Sequence, residues 1–388
     1  MDIGKIREAI PVTKNMIYMN TGWSGPSPER VTSRIKELLT IEMEQGPATL
    51  DAISRNREIH AELTRNVARL LNAPEGAILP TQCTTHGLVI VVNGMDWKPG
   101  DEIVTCSLEH PSVMLPSLML QETHGVKVRI ADIDPKDDKE TILAKIADCI
   151  TPNTRLAFFS HVQFSCGLKL PAKEVAQLVH EKGAYLLLDG AQGAGHLALD
   201  MVDMDCDFYA IPGQKWLLGP DGTGALYIRE QLIPEISPRY PTHGAVESWD
   251  MSDLSVVFNT DSSRKYRLST TSTALEAGMA EAIAFNLEIG PMEVETRSRE
   301  LAAILEDTLR EIPSLSVTSP DDPELASALV TVAATTKEPR EIVEILWDRG
   351  IAARQVPTPQ AIRLCTAVFN TEDEIRQVGA ILGEIVGG

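Results

Sequence analysis

Short runs rich in β-branched and aromatic residues recur through the first two thirds of the chain. They lie at 77–81 (AILPT), 102–106 (EIVTC), 126–130 (VKVRI), 155–160 (RLAFFS), 184–189 (AYLLLD), 208–211 (FYAI) and 225–228 (ALYI). Most are separated by helix-like stretches, so the pattern predicts strands alternating with helices and a mostly parallel sheet covered on both faces. The uninterrupted apolar run YLLL suits a central strand of such a sheet. The last two runs lie too close for a helical crossover, so residues 212–224 form an antiparallel return or a functional loop. From about residue 272 the pattern changes to long alanine- and glutamate-rich helical segments. ALVTVAA, a helix near 338–349, GIAAR, AIRLCT and a final helix from 371 follow. These predict a smaller α+β domain, with no internal repeat and no low-complexity tract. The expected division is a large domain over 18–262 and a small one built from 1–17 plus 263–388.

Composition narrows the function. The chain has 388 residues, 43% of them hydrophobic, with 35 basic against 55 acidic residues and a net charge of -20. That charge argues against a phosphate-backbone binder, so nucleic acid is set aside in favour of small-molecule chemistry. No stretch approaches the ~18 apolar residues of a membrane helix, and MDIGKIREAIPVTKN has no uninterrupted apolar core of a signal peptide. A cytoplasmic protein is expected. Cys83, Cys106, Cys149, Cys166, Cys206 and Cys365 are scattered with no CxxC pair, against both a zinc cage and a disulfide framework.

Open α/β sheets bind ligands at the carboxyl ends of their strands. Asp189 ends the most apolar run, where a carboxylate must meet a cation or a strong donor. Lys215 follows another run in YAIPGQKW, and Thr84 and Thr85 open a helix in LPTQCTTHGL, a place suited to a phosphate. Each has a bland reading: a solvated loop lysine, an ordinary cap, a capping aspartate. GPDGTG fails as a dinucleotide loop because it precedes a strand. Together, a phosphate cradle, a carboxylate and a single lysine describe a pyridoxal phosphate (PLP) site. The lysine forms the Schiff base, and the carboxylate keeps the pyridine nitrogen protonated.

The stretch LLLDGAQGAGHLALDMVDMDCDFYAIPGQKWLLGPDGTGALYI resembles the signature of class V aminotransferases, the group containing cysteine desulfurases, selenocysteine lyases and cysteine/cystine C–S lyases. The resemblance covers nearly the whole chain. It implies an α/β, PLP-dependent transferase (aspartate aminotransferase-like) fold with a seven-stranded mostly parallel sheet and a smaller α+β domain. It also implies that Lys215 carries the cofactor, Asp189 contacts the pyridine nitrogen and Gln192 hydrogen-bonds the ring hydroxyl. His110 in SLEHPSV matches the histidine that stacks on the ring, and Thr84 and Thr85 match the phosphate-binding pair. Thr270, in KYRLSTTST, matches a threonine that reaches the phosphate of a neighbouring subunit, implying a homodimer with a shared active site. Arg363 in AIRLCT matches the arginine that grips the substrate carboxylate; the alternative is a surface arginine on a strand.

Three departures stand out. Gln214 replaces a common histidine before the lysine, altering one phosphate contact. Ser160-His161-Val162 replaces Ser-Asn-Val, making His161 a ring contact, a proton carrier or a structural group. Between Arg354 and Arg363, where desulfurases carry a cysteine on a flexible loop, this chain reads QVPTPQAI. With GMDWKPGDEI and EHPSVM, that looks like the C–S lyase branch. The expected activity is β-elimination on cysteine, cystine or a related sulfur amino acid, releasing a sulfur species, pyruvate and ammonia. The alternatives are a desulfurase, an aminotransferase or epimerase, and a catalytically silent PLP-binding protein.

Overall fold

The computed structural model describes residues 1–387. After α1 (Ile3–Ala9), β1 (Ile17–Tyr18), α2 (Glu29–Gln45) and α3 (Leu50–Leu71), the chain enters a seven-stranded sheet. Its strands are β2 (Ile78–Thr81), β3 (Glu102–Cys106), β4 (Lys127–Ala131), β5 (Thr154–Ser160), β6 (Tyr185–Asp189), β7 (Phe208–Pro212) and β8 (Gly224–Ile228), in the order β2-β8-β7-β6-β5-β3-β4. Each predicted run is a strand of this sheet. Only β8 runs against its neighbours, so the short 212–224 connection is the antiparallel return.

The intervening helices are α4 (Thr84–Gly94), α5 (Pro111–His124), α6 (Lys139–Cys149), α7 (Ala172–His180) and the short α8 (Met201–Met204). They make both faces of the sheet dry. Alternation along β6 sends Leu186 and Leu188 into one apolar cluster and Leu187 into the other. A strand buried on two sides has no polar position to give, hence the unbroken YLLL.

A hairpin of β9 (Val246–Asp250) and β10 (Ser255–Phe258), which the periodicity did not predict, stands off this body with Trp249, Leu254 and Phe258 exposed. Helix α9 (Thr273–Ile289), expected in the second domain, packs against α2 and α3, with Ala274 and Ala277 beside Leu38 and Ile59. The second layer therefore starts at α10 (Pro291–Arg310). It continues through β11 (Leu315–Val317), β12 (Leu329–Ala334), α11 (Pro339–Asp348), β13 (Ile351–Ala352), β14 (Arg354–Pro357), β15 (Gln360–Cys365) and α12 (Glu372–Gly387). Its four-stranded antiparallel sheet runs β11-β12-β15-β14, while β13 pairs with β1. No described helix is long and apolar enough to cross a membrane.

Candidate active site

The carboxyl ends of β2, β3, β6 and β7 face β14 and β15 across a cleft of about 360 Å³. It is lined by Thr84, Thr85, His110, Asp189, Gln192, Gln214, Lys215 and Arg363 among others, so one cleft collects eight of the residues named from sequence.

Asp189 is buried, with Oδ1 accepting the Ala191 N–H at 2.8 Å. Burial raises its pKa and the Lys215 ammonium opposes that shift. Lys215 lies on the loop after β7, where loss of hydration lowers its pKa to about 8; the Asp189 charge works the other way and Arg363 adds to the lowering. The two groups are thus poised against each other, and the amine becomes neutral above about pH 8, well below the range of an ordinary lysine. The loop is held from the amino-terminal segment: Gly25 N–H donates to the Gln214 carbonyl at 2.6 Å. A Cβ on Gly25 would sit 2.2 Å from the Lys215 carbonyl oxygen, so only glycine admits this approach.

At the threonine end, Cys83 caps α4, its sulfur accepting the His86 N–H. Thr84 and Thr85 follow in the first turn, with Thr85 Oγ1 3.0 Å from Ser112 Oγ. Free N–H groups and hydroxyls at that turn suit a phosphate. Gln214 Oε1 is buried and unpartnered. His110 caps α5: its Nδ1 accepts from Ser112 N–H at 3.1 Å, and Phe164 packs edge-on against the ring at 4.9 Å. Burial first, then Lys215, Arg354 and Arg363, hold His110 down at about 4, a neutral ring. Behind it, the partly buried Glu109 carboxylate accepts from Ser160 N–H, Ser160 Oγ, Gln163 Nε2 and Cys106 Sγ. Burial pushes its pKa up to about 7.

Arg363 is 1% exposed, which rules out the surface reading. Its Nη1 donates to the Phe164 carbonyl at 3.0 Å, while Nε and Nη2 have no partner. Arg354 lies directly opposite it in the β14–β15 register and stacks over Trp23 at 4.4 Å. Like charges facing each other across strands are unfavourable unless an anion joins them. A buried arginine with open donors beside a second arginine has the chemistry to hold a carboxylate.

The structure revises several expectations. His161 does not line the cleft: its Nδ1 is 2.8 Å from the Tyr209 hydroxyl, and the ring borders a separate cavity near α7. The cause is strand alternation, since Ser160 turns toward Glu109 and the next residue turns away. Gln192 lines the cleft, held by donation to the Gly22 carbonyl and acceptance from Trp216 Nε1, with a second Nε2 N–H and a second oxygen lone pair still open. Thr270 is exposed and outside this chain's cleft lining, a position compatible with the expected reach toward a neighbouring subunit. Trp23, Arg354, Ser112, Phe164 and Cys83 were not predicted to belong to the site. For Arg354, the signal was a second arginine at a strand start facing Arg363. Cys166 and Cys365 are fully buried, and Cys83 is the cysteine that reaches the cleft wall.

The donor set fits a phosphorylated pyridine aldehyde. A helix start with hydroxyls, a buried carboxylate and an amine line the same cleft.

The family description Aminotransferase class-V matches residues 17–378. The chain is 27% identical over 398 residues to a probable cysteine desulfurase of Methanothermobacter thermautotrophicus, covering 98% of each. It is 28% identical over 393 residues to isopenicillin N epimerase of Streptomyces clavuligerus, covering 96% of this chain and 95% of that one. Among solved structures, the cystine C–S lyase C-DES with its product cysteine persulfide superposes with a TM-score of 0.91 at 26% identity, over 97% of this chain and 99% of that one. A C-DES lysine mutant with glycine covalently linked to its PLP cofactor gives the same 0.91.

Proposed function

This chain belongs to the class-V aminotransferase family, and from that premise we propose that it is a PLP-dependent C–S lyase acting by β-elimination on cysteine, cystine or a related sulfur amino acid. The observation that carries the lyase branch is the β14–β15 connection. The strands pair from Arg354↔Arg363 through Pro357↔Gln360, leaving Thr358 and Pro359 as the whole turn. A two-residue hairpin has no room for a mobile loop bearing a sulfur-accepting cysteine.

PLP, when bound, supplies an electron sink for charge developing at the substrate α-carbon. The chain's own groups do the rest. Arg363 and Arg354 would hold the substrate carboxylate, and His110 would lie against the ring face. Asp189 would stabilise a proton on the ring nitrogen. Lys215, neutral above about pH 8, takes the α-proton at Nζ and stands placed to return one. The β-sulfur leaves, as sulfide from cysteine or as a persulfide from cystine. Water then releases pyruvate and ammonia.

Pyruvate and ammonia are expected in equal amounts from cystine. Replacing Cys166 or Cys365 with alanine, or Cys83 with serine to keep a helix cap, should leave turnover within a few-fold of wild type. Alanine as the main product, lost with one of these cysteines, would make the protein a desulfurase; a racemised substrate would make it an epimerase.

Capture of PLP by the apoprotein requires the neutral amine of Lys215. Its rate should rise with pH to half-maximum near 8, whereas an ordinary lysine would place the midpoint near ~10.4. Stopped-flow absorbance across pH 6 to 11 reads this directly.

The reading includes a homodimer. Exposed Thr270 and the apolar β9–β10 hairpin, with Trp249, Leu254 and Phe258 in solvent, support a second copy completing the phosphate site. Sedimentation should give a dimer, and dilution to monomer should release cofactor; a fully active monomer would refute it. It also includes a cofactor-binding domain over about 18–262, extended by α9, and a cytoplasmic setting in which the six free cysteines stay reduced.

A further inference from the structure

A second cleft of about 420 Å³ lies between α7, α8, α10 and the loop before β12, and it shares no lining residue with the active site. We propose that it is a binding site for a small aliphatic monocarboxylate, held by Lys169 and His161.

The charges on its wall mostly cancel among themselves. Lys139 pairs with Glu174 at 3.3 Å and with Glu324 at 3.9 Å, Lys173 with Asp203, and Arg299 with Glu295 at 3.4 Å. Asp200 accepts from Val202 N–H, Asp203 N–H and Asn72 Nδ2. Lys169 alone among the described cations of this wall has no carboxylate within 4.0 Å, although it is half-buried there; Glu295, Glu324 and Arg299 are its charged neighbours. A partly desolvated ammonium without a counter-ion is costly, and an incoming carboxylate removes that cost.

His161 provides the second donor. It is 5% exposed, its Nδ1 engages the Tyr209 hydroxyl at 2.8 Å, and burial keeps the ring neutral. The Tyr209 hydroxyl has no other described acceptor, so it donates to Nδ1; Nε2 then carries the proton, and no described residue accepts it. One ammonium and one imidazole N–H match the two oxygens of a single carboxylate. A phosphate or dicarboxylate would bring a second charge toward Glu174, Glu295, Glu324 and Asp203. Leu170, Leu197, Leu199, Met204 and Leu325 give the remaining wall an apolar character suited to a short alkyl tail.

The test is calorimetric titration of the PLP-loaded enzyme with butyrate, beside succinate, inorganic phosphate and butylamine. One butyrate per chain should bind, more tightly than the other three. Lys169→Met, which keeps the stem and removes the ammonium, should weaken butyrate at least tenfold and leave turnover unchanged. Ala198→Phe, which fills the cleft with Lys169 in place, should also weaken it, while Arg363→Met should not. The proposal is overturned if butyrate does not saturate, if phosphate or succinate binds more tightly, or if Arg363→Met abolishes binding that Lys169→Met and Ala198→Phe retain.

Discussion

Lys215→Ala is expected to reduce turnover of cystine by about 10³-fold or more, a loss in the upper range for removal of a positioned general base. The fold should survive. In the folded state the lysine pKa sits at about 8, below its ordinary 10.5. The native protein therefore binds that proton less tightly than the unfolded chain does. The stability this group contributes is complete above the unfolded value and falls away as pH drops through 8. At pH 7 the apoprotein carries an ammonium it disfavours, and alanine removes it; Asp189 losing its nearby cation offsets part of the gain. Apo Lys215→Ala should then melt no earlier than apo wild type at pH 7. PLP should bind it through phosphate and ring contacts without the absorbance of a lysine-linked cofactor. Wild-type absorbance with full turnover in this variant would remove Lys215 from the site.

Asp189→Asn should cost about as much, by a different route. The asparagine keeps the shape and an acceptor for Ala191 N–H, but it cannot hold a proton on the ring nitrogen, so charge at the α-carbon loses its sink. A second consequence separates this from simple damage. The Asp189 charge is what opposes the lowering of the Lys215 pKa, so the pH midpoint for PLP capture should move below 8 in the variant. Unchanged turnover, or a midpoint moved upward, would mean that the carboxylate does not face the reacting groups.

These residues were legible because each follows a strong periodic run. Asp189 closes YLLL, Lys215 follows FYAIP, and Thr84 and Thr85 open the helix after β2, so strand-end logic places them on one rim. His110 and Arg363 came from motif resemblance, and the structure supplies the physics that periodicity lacked: a helix cap with Phe164 edge-on, and a fully buried guanidinium. Arg354 and Trp23 were out of reach because their meeting depends on the register of β14 and on a segment more than 300 residues upstream. His161 was misplaced for a local reason, since a one-residue step along a strand reverses the face. The β9–β10 hairpin escaped notice because Val256, Val257 and Phe258 all point to solvent, without the in-out alternation that marks a half-buried strand.

Arg7, in the first helix, donates to the Phe369 carbonyl at 2.7 Å and pairs with Glu374, 367 residues further on. During synthesis at ~5–20 residues per second, the nascent amino terminus waits roughly 20–70 s for that partner. Over the same interval the ribosome-bound chain can complete the seven-stranded sheet, but not the cleft, because Arg354 and Arg363 have yet to emerge. Cofactor loading is therefore expected to follow release. Chains halted on the ribosome at residue 340 should display Lys215 to amine-reactive probes that the finished, PLP-loaded protein excludes.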